Sequence, residues 1–487
     1  MKRALVWLAG ACAALGIVLV VNTLRVGTGA VAASVAPVAV AVDSVGALDR
    51  FARAIRIPTI SYDEVARTDS AAFRALHESL RTSFPRVHET LKRELIAGLS
   101  LHYTWLGRDT ALAPVVLMGH LDVVPVIPGT EARWEQPPFS GAQAGGFVWG
   151  RGTLDDKVSV LAILEAVEGA LAEGVVPSRT VHLAFGHDEE SGGAGAKAIR
   201  DSLVARGIRT PSLVLDEGGA LMDGANLGLA GPAAMIAVAE KGFLSLELSV
   251  REPGGHSSTP PRQTAIGRLA QAILRLEQDQ FPASLDGPAR TMLESMAPKL
   301  PFGQRLVMTN LWFFGPLVKR MLLQDPQTAA MFRTTTAPTI IGAGVKANVL
   351  PIDARAIVNF RLRPGDTQAS VIARVTRVIA DSGVTVKSEG FATDPSPISD
   401  HTGPGFQLIE KSLREAYPEP DLTVVPFLVM GGTDARYWAT VTDQTFRFVA
   451  APMEKDALTK VHGTNERIAE SSYLVAVRFF GRLLRNL

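Results

Sequence analysis

The chain has 487 residues, 47 % of them apolar and 20 % charged, about three typical domain lengths, so two globular units are expected and a disordered, collagenous or multi-pass membrane chain is excluded. Its 49 Lys and Arg against 48 Asp and Glu leave a net charge of +1; with no basic cluster, nucleic acid is excluded as the main partner. The single cysteine, Cys12, lies in an N-terminal apolar run, which leaves the rest of the chain without a thiol nucleophile, a Cys-ligated metal or an intrachain disulfide.

Lys2 and Arg3 precede the apolar run Ala4 to Val21, 18 residues ended by Asn22 and Arg25. That is long enough to cross a bilayer, and the charge bias puts the chain after it outside the cytoplasm. Residues 1–25 are read as an export segment retained as a membrane anchor; Ala30-Val31-Ala32 offers a small-x-small cleavage site whose use would make the protein secreted or periplasmic. Residues 26–46, rich in Ala and Val, read as a tether.

From about Ala47 the pattern becomes that of an α/β sheet. Pro114 to Gly119, Thr180 to Gly186 and Pro211 to Asp216 are strand-like, and Val158 to Leu171 and Ala194 to Val204 carry apolar residues at helical spacing. Near Lys241 the texture changes to a half-buried antiparallel strand, Phe243 to Val250, followed by an amphipathic helix, Thr264 to Glu277. An inserted α+β unit is expected over residues 241–365, carrying a Met-, Phe- and Trp-rich stretch from Pro282 to Thr339. The first texture then resumes over 366–487, with strands Leu422 to Phe427 and Thr445 to Val449 and a closing helix from Glu466 to Leu484.

Chemistry-bearing residues gather where strands end, the usual place for ligands in open α/β sheets. His120 and Asp122 lie two apart on a strand end and point the same way, so the carboxylate orients the imidazole. The Gly-rich turn Gly150 to Lys157 delivers Asp155 and Asp156 to a helix start, and it matches no phosphate-binding loop. Further acidic groups follow later strands: Asp188, Glu189 and Glu190, then Asp216 and Glu217. Asp155, Glu190 and Asp216 in one crevice would repel unless a cation neutralised them. With His462 as a second imidazole and no thiol, zinc suits the set, with manganese and cobalt as alternatives. No Gly-x-Ser-x-Gly elbow supports a serine hydrolase.

The motifs His120-Leu121-Asp122, Gly152 to Lys157, Asp188-Glu189-Glu190, Asp216-Glu217-Gly218, Gly254 to Ser258 and His462 to Glu466 resemble, in order and spacing, those of the dizinc exopeptidase and amidohydrolase family of aminoacylase and carboxypeptidase S. The segments Arg333 to Thr339 and Asn359-Phe360-Arg361 are similar to its carboxypeptidase S branch, which includes secreted enzymes acting on N-fatty-acyl amino acids. The resemblance implies a zinc-exopeptidase catalytic domain with an inserted lid and dimerisation domain. It implies two zinc ions bridged by Asp155, one completed by His120 and Asp216 and the other by Glu190 and His462, with Glu189 as the base and Asp122 behind His120. At the Asp216 position relatives use either an Asp or a Glu, and this sequence offers both side by side.

The resemblance further implies that His256 reaches the site from the lid, of this chain or of a homodimer partner, to stabilise an oxyanion. Asn348 and Arg361 would hold the substrate, and Gly432 would line the pocket. The implied reaction is cleavage of an amide next to a free carboxylate, in a peptide or an N-acyl amino acid. A silent binding module of the same fold would lack one of these groups, and all are present. The aromatic insertion, with Trp312, Phe313 and Phe314, could line an acyl pocket or fill a core.

Overall fold

The computed structural model describes residues 2–26 and 38–487; the expected cleavage site and most of the tether lie outside the described residues. Helix α1 (Lys2–Val26) carries the apolar run and is buried only at Leu19 and Thr23, most of it being exposed. It is long and apolar enough to cross a membrane.

The long strands, in chain order, are β1 (Lys92–Ile96), β2 (Ser100–Trp105), β3 (Val115–His120), β4 (Val181–Gly186), β5 (Leu213–Met222), β6 (Ala233–Glu240), β7 (Gly242–Arg251), β8 (Thr335–Ala343), β9 (Asp353–Leu362), β10 (Val384–Thr393), β11 (Thr423–Val429) and β12 (Thr445–Pro452). Eight of them form one sheet in the order β1-β2-β4-β3-β5-β12-β6-β11. Its centre is parallel, β4 to β3 to β5 to β12, and these strands are apolar on both faces because helices cover both. Helix α2 (Lys157–Ala172) is buried almost all round, and the C-terminal helix (Glu470–Asn486) packs beside it. One core cluster joins Phe51, Leu117, Leu161, Phe185, Ile236, Phe448 and Phe479.

A second sheet, β8-β9-β7-β10, is antiparallel throughout. It buries Leu244, Leu246, Leu248, Val358 and Phe360 under the helices Ala265–Gln278 and Gln368–Ile379. This unit therefore runs past residue 365, where the sequence reading ends it. Val371, Val375 and Ile379 point into its core at helical spacing, and β10 is an edge strand whose exposed polar residues give little sequence signal.

Two further expectations differ from the structure. The Met- and Phe-rich stretch packs on the main sheet, where Met292, Met296, Leu311, Val318 and Phe332 share a core with Met235 and Val425. The last helix starts at Glu470, because His462 and Asn465 adopt left-handed backbone (φ 60° each) and Arg467–Ala469 pairs as a short strand with Phe147–Trp149.

Candidate active site

Strand β3 delivers His120 to the crevice beyond its carboxyl end, with its side chain buried. Gly119 before it is closely packed, since a Cβ there would come within 2.9 Å of Asp156 Oδ2 and force that side chain to shift. His120 Nδ1 lies 3.0 Å from the Asp122 carbonyl oxygen and 3.3 Å from its Oδ1. That pairing gives Nδ1 the proton and aims Nε2 outward, the arrangement expected of a histidine ligand. Nε2 faces Asp155 Oδ1 at 2.9 Å. Asp122 is held in turn by Ser61 Oγ at 2.6 Å and by the amides of Glu189 and Glu190, both donating at 3.2 Å.

The turn that carries Asp155 is braced from the far end of the chain. Glu466 Oε1 accepts the amides of Gly152 and Leu154 at 2.9 Å each, and Oε2 accepts from Arg151 at 2.5 Å. Gly152 has φ 89°, and a Cβ there would meet Val123 at 2.6 Å, so both backbone conformation and space require glycine. The buried Lys157 ammonium donates to the Ala54 and Ile57 carbonyls and fixes the start of α2.

His462 reaches the same carboxylate from the opposite side. Its Nε2 lies 3.0 Å from Asp155 Oδ2 and 3.2 Å from Glu190 Oε1. Asp155 thus turns one oxygen to each imidazole, and ligand atoms of His120, Asp155 and Glu190 lie within 4.8 Å of one another. Asp216, on β5, accepts the Ala435 amide at 2.6 Å. Its neighbour Glu217 is crowded by Asp155, Asp156, Asp216 and Glu189.

The electrostatics are those of an anionic crevice. Burial, then the nearby Asp434 carboxylate, pushes Glu189 well above its usual range, with Glu190 adding to this and His120 and Arg436 opposing it. Burial likewise raises Glu190, Asp216, Glu217 and Asp434. Hydrogen bonds that it donates to Asp155 and Glu190 drive His462 up to about 10. His120 is raised too, the bonds to Asp122 and Asp155 outweighing its burial. Both Asp434 oxygens are buried without a hydrogen-bond partner. Imidazole nitrogens and carboxylate oxygens converging in this way fit a divalent cation, which would supply the positive charge that only protons supply otherwise.

The other expected residues lie apart from this cluster. His256 and Asn348 are exposed together on a lid hairpin, where the Ser257 amide donates to the Asn348 carbonyl and Gly255 and His256 pair with Leu350 and Val349. Arg361, on β9, stacks 4.7 Å over the Phe243 ring. Nearby, Lys241 is lowered to about 7 by burial and by Arg361 and Arg363. Gly432 sits in the loop after β11, where Thr433 donates twice to Glu240.

Sequence reading gave Arg436 no role and did not foresee that Glu466, within its last motif, braces the Asp155 turn. Arg436 lies 3.8 Å from Glu189 and 3.7 Å from Asp434. The signal near these residues lay in the turn around Gly432 and in the motif His462 to Glu466.

Comparison with known proteins agrees with this geometry. The family model described as peptidase family M20/M25/M40 matches residues 116–486. The chain is 40 % identical over 441 residues to the probable carboxypeptidase S-like 2 of Dictyostelium discoideum, covering 90 % of this chain and 84 % of that protein. It is 39 % identical over 438 residues to the N-fatty-acyl-amino acid synthase/hydrolase PM20D1 of Xenopus tropicalis (89 % and 84 %), and 30 % identical to carboxypeptidase S of Saccharomyces cerevisiae (90 % and 84 %). Among solved structures, an M20 family metallo-carboxypeptidase of Sulfolobus solfataricus superposes with a TM-score of 0.67 at 18 % identity (90 % and 98 %), and human carnosine dipeptidase 1 with 0.64 at 15 % (91 % and 96 %); at these identities they bear on the fold alone. Family match and relatives together make the chain an enzyme of the M20 metallopeptidase family, with carboxypeptidase or amidohydrolase function.

Proposed function

We propose that the chain is an exported, membrane-anchored hydrolase that binds two zinc ions and cleaves an amide adjacent to a free carboxylate, releasing an amino acid from a peptide or an N-acyl amino acid. The observation that carries this is Asp155, whose two oxygens face His120 and His462 separately. His120 and Asp216 would hold one ion, Glu190 and His462 the other, and Asp155 both. When bound, the ions supply Lewis acidity to the scissile carbonyl and acidify water.

Glu189 is the general base. Its raised proton affinity suits it to take a proton from the attacking water and return it to the leaving amine as the C–N bond breaks. Asp122 positions His120 and, through the two amides it accepts, the Glu189–Glu190 turn. Arg361, unpaired with any carboxylate among the described residues and set beside Lys241 and Arg363, suits the substrate carboxylate. Asn348 and His256 complete the substrate contacts from the lid, and Gly432 lines the pocket.

Exposed Ile340 and Ile341 on edge strand β8 support a homodimer through the lid. Such a dimer would deliver His256 to a neighbouring site.

The names of the relatives put N-fatty-acyl amino acids beside peptides as substrates. A matched panel of dipeptides, N-acetyl and N-oleoyl amino acids, given to the full-length zinc-loaded enzyme, decides between them. Faster turnover of the oleoyl compounds supports an acyl amino acid hydrolase, and faster turnover of dipeptides supports a carboxypeptidase. Absence of turnover on every member contradicts the proposal.

A further inference from the structure

The end of α1 is built into the enzyme. Asn22 Nδ2 donates to Asn310 Oδ1 at 3.0 Å, Asn310 Nδ2 donates to the Leu19 carbonyl at 3.1 Å, and the hydroxyls of Thr23 and Thr309 lie 3.1 Å apart. Leu19, Thr23 and Asn310 are buried at this junction, while the rest of α1 has almost no protein around it. Asn310 is also the residue before helix α3 (Leu311–Leu322). Helix α3 therefore starts where α1 ends, at the last turns of the apolar span, where a spanning helix emerges into the headgroup region.

Helix α3 is apolar on two faces. Leu311 and Val318 enter the core on the main sheet, with Phe314 and Leu322 against it. The other face leaves Trp312 59 %, Phe313 44 %, Leu317 53 % and Met321 62 % exposed. Phe313, Leu317 and Met321 stand at i, i+4 and i+8, one line along about 12 Å of helix. Lys319 and Arg320 close the helix in its last turn and are exposed beside it. A contiguous apolar face of this kind marks an interaction surface, and a Trp at its head with cations at its tail is the composition of a helix lying in a bilayer interface.

We propose that α3 lies in the outer leaflet of the membrane that α1 spans, with Trp312, Phe313, Leu317 and Met321 inserted among the lipids. The anchor and this helix then form one platform, rigidly joined at Asn310, that holds the catalytic domain in a fixed orientation on the bilayer. The occupant is lipid rather than a second copy because the patch begins at the residue that binds the end of the span. The inference rests on retention of α1 as an anchor.

The test uses the full-length chain in vesicles of phosphatidylcholine and phosphatidylglycerol, with a nitroxide on one cysteine at a time. The native Cys12 reports the span. Phe313→Cys and Leu317→Cys, each in a Cys12→Ser background, report the platform, and Leu95→Cys on β1, at the opposite edge of the main sheet, is the aqueous control. Labels at 12 and at 313 or 317 are expected to show an oxygen-to-nickel-chelate collision ratio at least about tenfold above that at 95. A lipid signature at 12 with an aqueous one at both 313 and 317 overturns the platform and leaves the anchor standing. Shielding of 313 and 317 from both reagents assigns the patch to a protein and also overturns it. An aqueous signature at 12 as well removes the anchor and the platform together. Two positions on α3 keep the test decisive if one variant fails to fold.

Discussion

Arg151 and Glu466, 315 positions apart, form a buried ion pair at 2.5 Å that clamps the turn presenting Asp155. The pair joins the second motif of the chain to the last, and His462 lies four residues before Glu466. One contact thus ties the turn that carries Asp155 to the segment that carries His462.

Breaking that pair is expected to be expensive. Glu466→Ala leaves the buried Arg151 charge without its carboxylate and two buried amides without an acceptor, a loss of about 3–5 kcal/mol. Urea unfolding of metal-free protein reads this directly, and an unchanged midpoint would show that the brace is dispensable.

Separate substitutions at the site are expected to have separable effects. Glu189→Ala should keep bound metal and fold while losing about 10²–10⁴-fold in kcat, the range for a general base. Asp155→Ala should lose the metal itself. Metal analysis beside steady-state kinetics distinguishes the two, and near-normal turnover of Glu189→Ala would refute its role.

The proposed mechanism has Asp122 act through His120 rather than on substrate. Asp122→Asn is expected to weaken metal binding by about 10–100-fold, as second-layer changes at histidine ligands do. Competition with a chromogenic chelator measures it, and the control Ser61→Ala should give a smaller change in the same direction.

The grip on the substrate carboxylate has its own signature. Arg361→Ala is expected to raise KM for acids by about tenfold or more, the value of a charged hydrogen bond, with little effect on carboxamide analogues. Equal losses on both substrate types would remove Arg361 from that role.

Stability is expected to fall with acid through the buried pair His102 and His182, which stack at 5.2 Å between β2 and β4. Burial lowers His102 to about 4; burial, and then His102, lowers His182 to about 3. The unfolded state therefore binds more protons between about pH 6.5 and these values, and each group removes up to about 1.4 kcal/mol per pH unit as pH falls through that window. Their contribution is complete above pH 6.5. A His182→Asn variant should show a shallower decline from pH 7 to 5 in urea unfolding than the parent, and an identical slope would contradict this.

The parts of the fold that follow from local pattern were legible. Strands β3, β4 and β7 and helix α2 appear within one or two residues of their expected bounds, because continuous apolar runs, strict alternation and helical spacing each have one solution. The parts that depend on distant partners were not. Strand β10 exists because β7 offers it an edge, and the start of the last helix is set by a pairing with Phe147–Trp149. At the site, clusters of His, Asp and Glu at strand ends drew attention to His120, Asp155, Glu190 and His462. Arg436 did not announce itself, since its position beside Glu189 arises only when the loop after β11 meets the turn after β4. Of the aromatic insertion, Phe332 takes the core role, while Trp312 and Phe313 stay exposed on the surface, which neither of the two expectations described.

The most direct test of the central claim is a zinc titration of the full-length, chelator-stripped enzyme, reading bound zinc by equilibrium dialysis and hydrolysis of the best substrate on the same samples. The expected result is no activity in the stripped enzyme, recovery with zinc, two zinc ions bound per chain at saturation, and loss of both binding and activity in Asp155→Ala. Full activity after stripping, or unaltered zinc binding by Asp155→Ala, would contradict the assignment of Asp155 as the shared ligand on which the chemistry depends.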